Sequence, residues 1–445
     1  MDLIVKEISA GIDISKDEFN IAIRNRDGFI AEREFHNDTS GSMRCYELLT
    51  ANNCKDVVME STGAYWYGPY DYLSSRGINV ALVNPSKVKS YLLLNKTDRI
   101  DARVLATLHM LGRVKPSYVP PPEIRRLRRM TRFRAKLITM KTQLKNAANS
   151  SISAYSGRLT SIFSDIFGLS ARKVLDAISS TVKPDLKSTD DHEQQQDAIL
   201  KALNGMKRLT EEKRREVLEA VSKAYSPSLD SWIIKFTSDA IDQVQSWIDV
   251  LNSAIANAVE SIPRVKEYVE RLLTIQGVGL ETAQAIAAEI SDITRFEWDG
   301  ALIRYAGINP TIEQSGKVKR YGKLEKGGPR WLRSALYQAA LSMAFKGPEN
   351  FQNHYVAVKA RYGRKGHGVA VVSTARKLTR VIWAMLTDGT DYIGSPREST
   401  ERKKKALLRR AKRYDSPGVA KPSLYDLLLN FDRLPSDVKQ MLAEL

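Results

Sequence analysis

Cysteine is almost absent from this chain. Cys45 and Cys54 are the only two in 445 residues, too few for a disulfide framework and not spaced as metal ligands, which fits a reducing compartment. Histidine is scarce as well: His36, His109, His192, His354 and His367 form no pair at ligand spacing, which argues against a zinc site. No apolar run approaches ~18 residues and no hydrophobic leader opens the chain, so neither a membrane span nor export is expected. Acid is in deficit, with 51 Asp and Glu against 69 Lys and Arg and a formal net charge of +18. That excess favours a polyanionic partner, because neutralised phosphates release counterions. The length exceeds one ordinary core, and about two or three domains are expected.

The first 122 residues read as α/β. Strands are expected at Glu7–Ile14, Glu18–Arg24 and Phe29–Phe35, the last two joined by a turn whose Asp27-Gly28 pair is a hairpin signal. A helix near Ser42–Thr50, a strand at Asp56–Glu60, a helix at Tyr65–Ser75 and a strand at Asn79–Val83 follow. A further helix carries Asp98 and Asp101 and continues through Leu105, Leu108 and Leu111. This βββαβαβα order is that of an RNase H-like (RuvC-like) domain, in which strands one and four are neighbours.

Four acids stand out in that domain. Asp13 lies in the apolar context Ala10-Gly11-Ile12-Asp13-Ile14, Glu60 ends a strand, and Asp98 and Asp101 are three apart, hence on one helix face. Burying Asp13 is costly without a cation or partner. Two Mg²⁺ ions can clamp the attacking and leaving oxygens of a phosphodiester, and Mg²⁺ (or Mn²⁺) takes such carboxylate oxygens.

Past Pro120-Pro121-Pro122 the chain turns helical. Residues 123–268 are expected to form a basic helical and coiled-coil region. Arg125, Arg126, Arg128, Arg129, Arg132, Arg134, Lys136, Lys141 and Lys145 are unrelieved by any acid between 125 and 145, which favours nucleic-acid contact over a solvated face. A loop is expected at Lys183–Gln196. Ile233, Phe236, Ala240, Val244, Trp247, Leu251, Ala254 and Ala258 step by threes and fours, as a coiled-coil seam does. It could close within the chain or between chains.

Residues 269–392 read as a mostly helical domain. Gly277-Val278-Gly279 sits between two helical patterns, a helix-hairpin-helix whose backbone N–H groups suit a DNA phosphate. Ser315-Gly316 lies in a basic, glycine-rich loop with Lys317, Lys319, Arg320, Lys323 and Arg330. Ser315 is either a nucleophile in a phosphate-holding setting or a loop-forming Ser-Gly. Residues 393–445 form a basic tail, with eight cations in Arg402–Arg413, read as an arm that orders on nucleic acid.

These motifs together resemble the DEDD transposases of insertion-sequence family one-ten. The resemblance rests on Gly11-Ile12-Asp13-Ile14-Ser15-Lys16, Glu60-Ser61-Thr62-Gly63-Ala64-Tyr65-Trp66, Val83-Asn84-Pro85 and Lys96-Thr97-Asp98-Arg99-Ile100-Asp101-Ala102. It continues in Ser117-Tyr118-Val119-Pro120, Ser164-Asp165-Ile166-Phe167-Gly168, Gly277-Val278-Gly279 and Gly307-Ile308-Asn309-Pro310 with Gln314-Ser315-Gly316. It implies a RuvC-like domain with the tetrad Asp13, Glu60, Asp98 and Asp101, and a transposase domain in which Ser315 is the essential serine. It further implies recombination of double-stranded donor and target DNA, guided by a structured noncoding (bridge) RNA, through a phosphoserine intermediate. The assembly would be a homo-oligomer, a dimer or a tetramer, in the cytoplasm at the bacterial or archaeal nucleoid. A RuvC-type structure-selective endonuclease without a serine nucleophile is the competing reading.

Overall fold

The structure is a computed structural model and describes residues 6–61, 63–84, 98–163, 165–180, 190–205, 209–223, 229–315, 318–325 and 327–392. The chain divides into two units, Met1–Pro121 and Pro122–Leu445.

The first unit is built on a five-stranded sheet of β1 (Ile8–Ile14), β2 (Glu18–Asn25), β3 (Phe29–His36), β4 (Asp56–Glu60) and β5 (Asn79–Val83), in the order β3-β2-β1-β4-β5. The first three strands are antiparallel, and β1–β4 and β4–β5 are parallel. The β2–β3 turn is fixed by Asn25, whose side-chain oxygen accepts from the backbone N–H groups of Asp27 and Gly28 at 3.0 and 2.9 Å. Helix α1 (Thr39–Ala51) starts on Asp38, which accepts from Gly41 N–H at 2.6 Å. The strand alternation sends Ala10, Ile12, Ile14, Val57 and Met59 into one core with Cys45, Leu49 and Leu73 of the helices α1 and α2 (Tyr67–Ser74). The other face places Val58 and Val83 against Leu105 and Leu108 of helix α3 (Asp98–Met110). The element order and the β1–β4 pairing are those expected from sequence.

In the second unit, α4 (Pro122–Tyr155) and α9 (Leu229–Glu260) run antiparallel. Arg134 meets Asn252, Leu137 packs with Val244 and Ile248, and Lys141 hydrogen-bonds Gln245. The seam therefore closes within the chain. Its register differs from the expected one. Among the described side chains of α9 the buried apolar positions are Ile234, Ile241, Val244, Ile248, Ile255 and Val259, with Thr237 and Ser238 buried beside them, and Ile234, Ile241, Ile248 and Ile255 recur every seven residues. Phe236 (61 % exposed), Trp247 (49 %) and Val250 (69 %) lie outside it. Helix α9 thus has two apolar stripes, and β-branched side chains with regular heptad spacing fill the intramolecular one while the bulky aromatics do not.

Beyond the pair, α5 (Gly157–Ile162), α6 (Leu169–Ser180), α7 (Asp190–Asn204) and α8 (Glu211–Ser222) enclose a small core with Ile152 and Ile234. Of the loop expected at 183–196, residues 183–189 lie outside the described ones. From Asp190 the chain is helical, with Asp190 and Asp191 opening the helix where acids suit its dipole. The main core unites α10 (Pro263–Leu273), α11 (Leu280–Ile290), α12 (Asp299–Ala306), α13 (Arg330–Lys346), α14 (Glu349–Tyr362) and α15 (Gly366–Asp388). Ile124 and Leu127 of α4 and Ile255 and Val259 of α9 belong to the same core, which is therefore continuous across residue 268. The segment read as a glycine-rich loop is a two-stranded antiparallel hairpin, β6 (Pro310–Ser315) and β7 (Val318–Leu324). Its glycines had masked the β-forming Thr311, Ile312, Val318 and Tyr321.

Candidate active site and nucleic-acid surface

The acids of the first unit are positioned by strand register and one close approach. In the parallel β1–β4 pair Ile12 is opposite Met59, so Asp13 and Glu60, the next residues, stand at the neighbouring carboxyl ends of the two strands. A side chain built at Gly11 would lie 2.2 Å from the carbonyl oxygen of Ala102 and 2.4 Å from the amide nitrogen of Ala106. Only glycine lets α3 lie this close to β1. Alternation puts Asp13 on the same face of the sheet as Gly11, and Glu60 on the same face as Val58, which packs on α3.

Helix α3 runs antiparallel to β1. His109 Nδ1 is 2.8 Å from Ser9 Oγ, while Ala102 and Ala106 sit at Gly11. Its first turn, with Asp98 and Asp101, therefore points toward the Asp13 end of the strand. Asp13, Glu60 and Asp101 are each half-buried; the Asp98 side chain lies outside those described. Among the described residues no three His, Cys, Asp or Glu side chains are drawn together closely enough to hold an ion. The donor set itself, hard carboxylate oxygens without a thiolate or imidazole, suits Mg²⁺ or Mn²⁺.

At the opposite end of β1 a second polar group is structural. His109 and Ser9 are buried, and Lys6 pairs with Asp56, which also accepts from Asn79 at 2.8 Å. Burial, reinforced by the Lys6 charge, pushes the His109 imidazole down to about 4, with Asp56 opposing. Burial likewise raises the thiols of Cys45 and Cys54 to about 12 and about 11, so neither is a nucleophile.

In the second unit Ser315 is the last residue of β6 and pairs with Val318. Gly316 and Lys317 lie outside the described residues, as does the basic tail 393–445, and the side chains of Ser315, Lys319 and Arg320 are not among those described. Lys323 and Arg330 are exposed. Gly277 takes a left-handed φ of +98°, and a Cβ there would meet Met343 Cγ at 3.0 Å. The glycine is thus required by the turn and its packing, whatever else it contacts. Gly279 is the N-cap of α11, so the helix-hairpin-helix is present as expected.

The basic helix needs correction. Arg125 and Arg128 are buried, and Arg128 donates to the carbonyl oxygens of Ala288 and Glu289 at 2.8 and 2.7 Å, at the carboxyl end of α11. Arg132 grips the Glu289 carboxylate with two hydrogen bonds. Arg134 reaches Gln284 and the Glu281 carbonyl oxygen at 2.8 and 2.6 Å. Arg125 and Arg128 therefore do not lie on a solvent face, and Arg132 is held by Glu289. Arg128, Arg132 and Arg134 pin α4 to the hairpin's second helix, and the acid that relieves Arg128 and Arg132 comes from far along the chain. Arg126 and Arg129 point outward and are exposed.

Sequence reasoning passed over one acid-free basic stretch. From Asn350 to Thr387 there are Lys359, Arg361, Arg364, Lys365, Arg376, Lys377 and Arg380 and no acid. That asymmetry was the available signal.

No described helix is long and apolar enough to cross a membrane. A family profile described as a transposase, the DEDD type of IS110, matches residues 10–156, and one described as the transposase IS116/IS110/IS902 family matches residues 269–356. The chain is similar to the transposase for insertion sequence element IS1111A of Coxiella burnetii, at 22 % identity over 86 % of this chain and 90 % of that one. It is also similar to the pilin gene-inverting protein of Moraxella lacunata, at 22 % identity over 86 % and 96 %, and to a 44.8 kDa protein of insertion element IS116 from Streptomyces clavuligerus, at 25 % over 73 % and 80 %. With both profiles matched in order and relatives aligned along most of its length, the chain belongs to the IS110 family of transposases, enzymes that cut and join DNA.

Proposed function

We propose that the protein is a DNA recombinase in which Asp13, Glu60, Asp98 and Asp101 hold Mg²⁺ or Mn²⁺ and Ser315 attacks the scissile phosphate. The observation that carries the metal site is the register of β1 and β4, which brings Asp13 and Glu60 to adjacent strand ends beneath the first turn of α3. The bound cations would supply Lewis-acid charge at the phosphate. The Ser315 hydroxyl gives up its proton as its oxygen bonds to phosphorus, and the displaced sugar oxygen takes up a proton. Attack by a sugar hydroxyl of the other DNA reverses these steps, restoring a diester and freeing the serine, so no external energy is needed. Lys323 and Arg330, exposed on and after the hairpin, balance the phosphate charge.

Donor and target DNA are the substrates of this reading. A structured RNA from the same element selects them by base pairing, and the exposed Arg126 and Arg129, the Gly277–Gly279 hairpin and the tail beyond 393 contact backbone phosphates. Protomers assemble into a dimer or tetramer; the outer stripe of α9, with Phe236, Trp247 and Val250 exposed, supports a contact between copies. In the test, Asp13→Asn and Glu60→Gln abolish strand cleavage while DNA and RNA affinity stay within a few-fold of wild type. Cleavage by either variant in Mg²⁺ refutes the metal assignment.

A further inference from the structure

The acid-free stretch between Asn350 and Thr387 surrounds an open apolar groove on the last helices. Its lining is Ala344 and Phe345 from the end of α13, Tyr355, Val356, Lys359 and Ala360 from α14, and Gly363, with a volume of about 520 Å³. That lies within the range of about 300–1,000 Å³ usual for ligand pockets.

The floor is rigid. Tyr355 is buried, its hydroxyl is 2.7 Å from His367 Nδ1, and its ring tilts against Phe345 at a centroid distance of 5.4 Å. Phe345 is 60 % exposed and Val356 61 %. These apolar surfaces face solvent although neither is needed to close the core.

The rim is cationic. Lys359 Nζ lies 5.9 Å from the Tyr355 ring centroid, and Lys346, Lys359, Arg361 and Arg364 are exposed. An aromatic floor with a cationic rim matches a polyanion whose flat faces are uncovered. Duplex DNA shields its base faces by stacking, so a duplex gains nothing from Phe345, whereas an unpaired strand can stack a base there and lay its phosphates along the rim.

We infer that the groove of Phe345, Tyr355, Val356 and Lys359, with the exposed Arg361 and Arg364 next in sequence to its lining residues Ala360 and Gly363, binds unpaired single-stranded DNA, stacking a base on Phe345. The established class of activity supplies such a strand, since a DNA strand cut for transfer to another duplex must leave its own partner. The site stands apart from the chemistry proposed for Ser315 and the four acids, and it is read as binding without divalent metal.

The test uses the full chain in Mg²⁺-free buffer with a labelled oligothymidylate, a labelled duplex and an oligouridylate. Phe345→Ala weakens oligothymidylate binding by roughly tenfold or more, as expected for loss of one base–aromatic stack, and leaves duplex affinity within twofold. Phe345→Trp keeps wild-type affinity. An oligonucleotide carrying 2-aminopurine is quenched on binding wild type and not on binding Phe345→Ala. Because Phe345 is largely exposed, the thermal transition of both variants stays at the wild-type temperature. Lys359→Gln with Arg361→Gln and Arg364→Gln lowers the slope of log affinity against log salt by about 0.7 per lost contact. Unchanged oligothymidylate binding by Phe345→Ala, or an equal loss on duplex, overturns the proposal; tighter binding of oligouridylate than oligothymidylate makes the occupant RNA and overturns it equally.

Discussion

Arg132 holds Glu289 in a two-point fork, Nε to Oε1 at 2.6 Å and Nη2 to Oε2 at 2.9 Å, across 157 residues of sequence. The carboxylate is 1 % exposed and the arginine 32 %. Arg128 Nε stands 3.9 Å from the same Oε2, so one buried acid answers two cations of a helix that looked uncompensated.

Breaking this pair on one side leaves a desolvated charge behind. Arg132→Ala is expected to destabilise the protein by about 2 kcal/mol, the scale of a hydrogen bond to a charged group. Arg132→Met with Glu289→Leu is expected to cost less, because no unpaired carboxylate is left buried and Arg128 keeps the Ala288 and Glu289 carbonyl oxygens as acceptors. Urea unfolding of the three proteins checks the order. Arg126→Ala with Arg129→Ala, both exposed, leaves stability within about 0.5 kcal/mol but flattens the salt dependence of DNA binding. If instead the Arg132 variant were stable and lost only the salt slope, the internal role would be wrong.

The approach of α3 to β1 sets a second outcome. Gly11→Ala places a methyl group against the Ala102 carbonyl and the Ala106 amide, which are backbone atoms and cannot rotate away. A loss of about 2 kcal/mol or more is expected, at the upper end for overpacking. Cleavage should fall with it, because α3 carries Asp98 and Asp101. Denaturation of the variant alongside wild type, with cleavage measured on the fraction that remains folded, separates the two effects.

His109 gives a pH dependence. Its folded value of about 4 lies below the ordinary 6.5, so the unfolded chain takes up the proton first. Stability from this group is complete above about pH 6.5, declines as pH falls toward 4, and levels off below. The difference amounts to about 3 kcal/mol. Lys6 and Asp56 are the charged neighbours. Burial pushes the Asp56 carboxyl up, but the hydrogen bonds from Lys6 and Asn79 hold it below its usual range, so it stays ionised across this window. In His109→Gln the slope of unfolding free energy between pH 6.5 and 4 should be smaller than in wild type; an unchanged slope would mean that other groups set it.

The first unit was legible because its cues are local. Alternation in Ile8–Ile14, the Asn25–Gly28 turn and the break at Gly77 each act within a few residues, and the strand order follows from their sequence. The fate of Arg128 and Arg132 was not legible, since Glu289 and the Ala288 carbonyl are far away in sequence and near only in the fold. The seam of α9 was misplaced for a related reason. Phe236 and Trp247 outweigh Ile234 and Ile248 in any count of apolar residues, but only the register of α4 decides which stripe is covered. The hairpin of β6 and β7 was hidden by Gly316 and Gly322, because glycine signals a turn and also permits close strand contacts. At Gly322 a Cβ would fall 2.4 Å from Thr311 Oγ1.

The most direct test of the account is the fate of the DNA strand at Ser315. Wild-type protein incubated with Mg²⁺, guide RNA and donor and target DNA is expected to give a protein–DNA adduct that survives denaturation and maps by peptide mass to Ser315. Ser315→Ala should lose adduct and recombination together while binding DNA as wild type does. Recombination by Ser315→Ala would contradict the account and point to metal-dependent chemistry that uses no serine, and an adduct mapped to another residue such as Ser334 would contradict it by placing the nucleophile there.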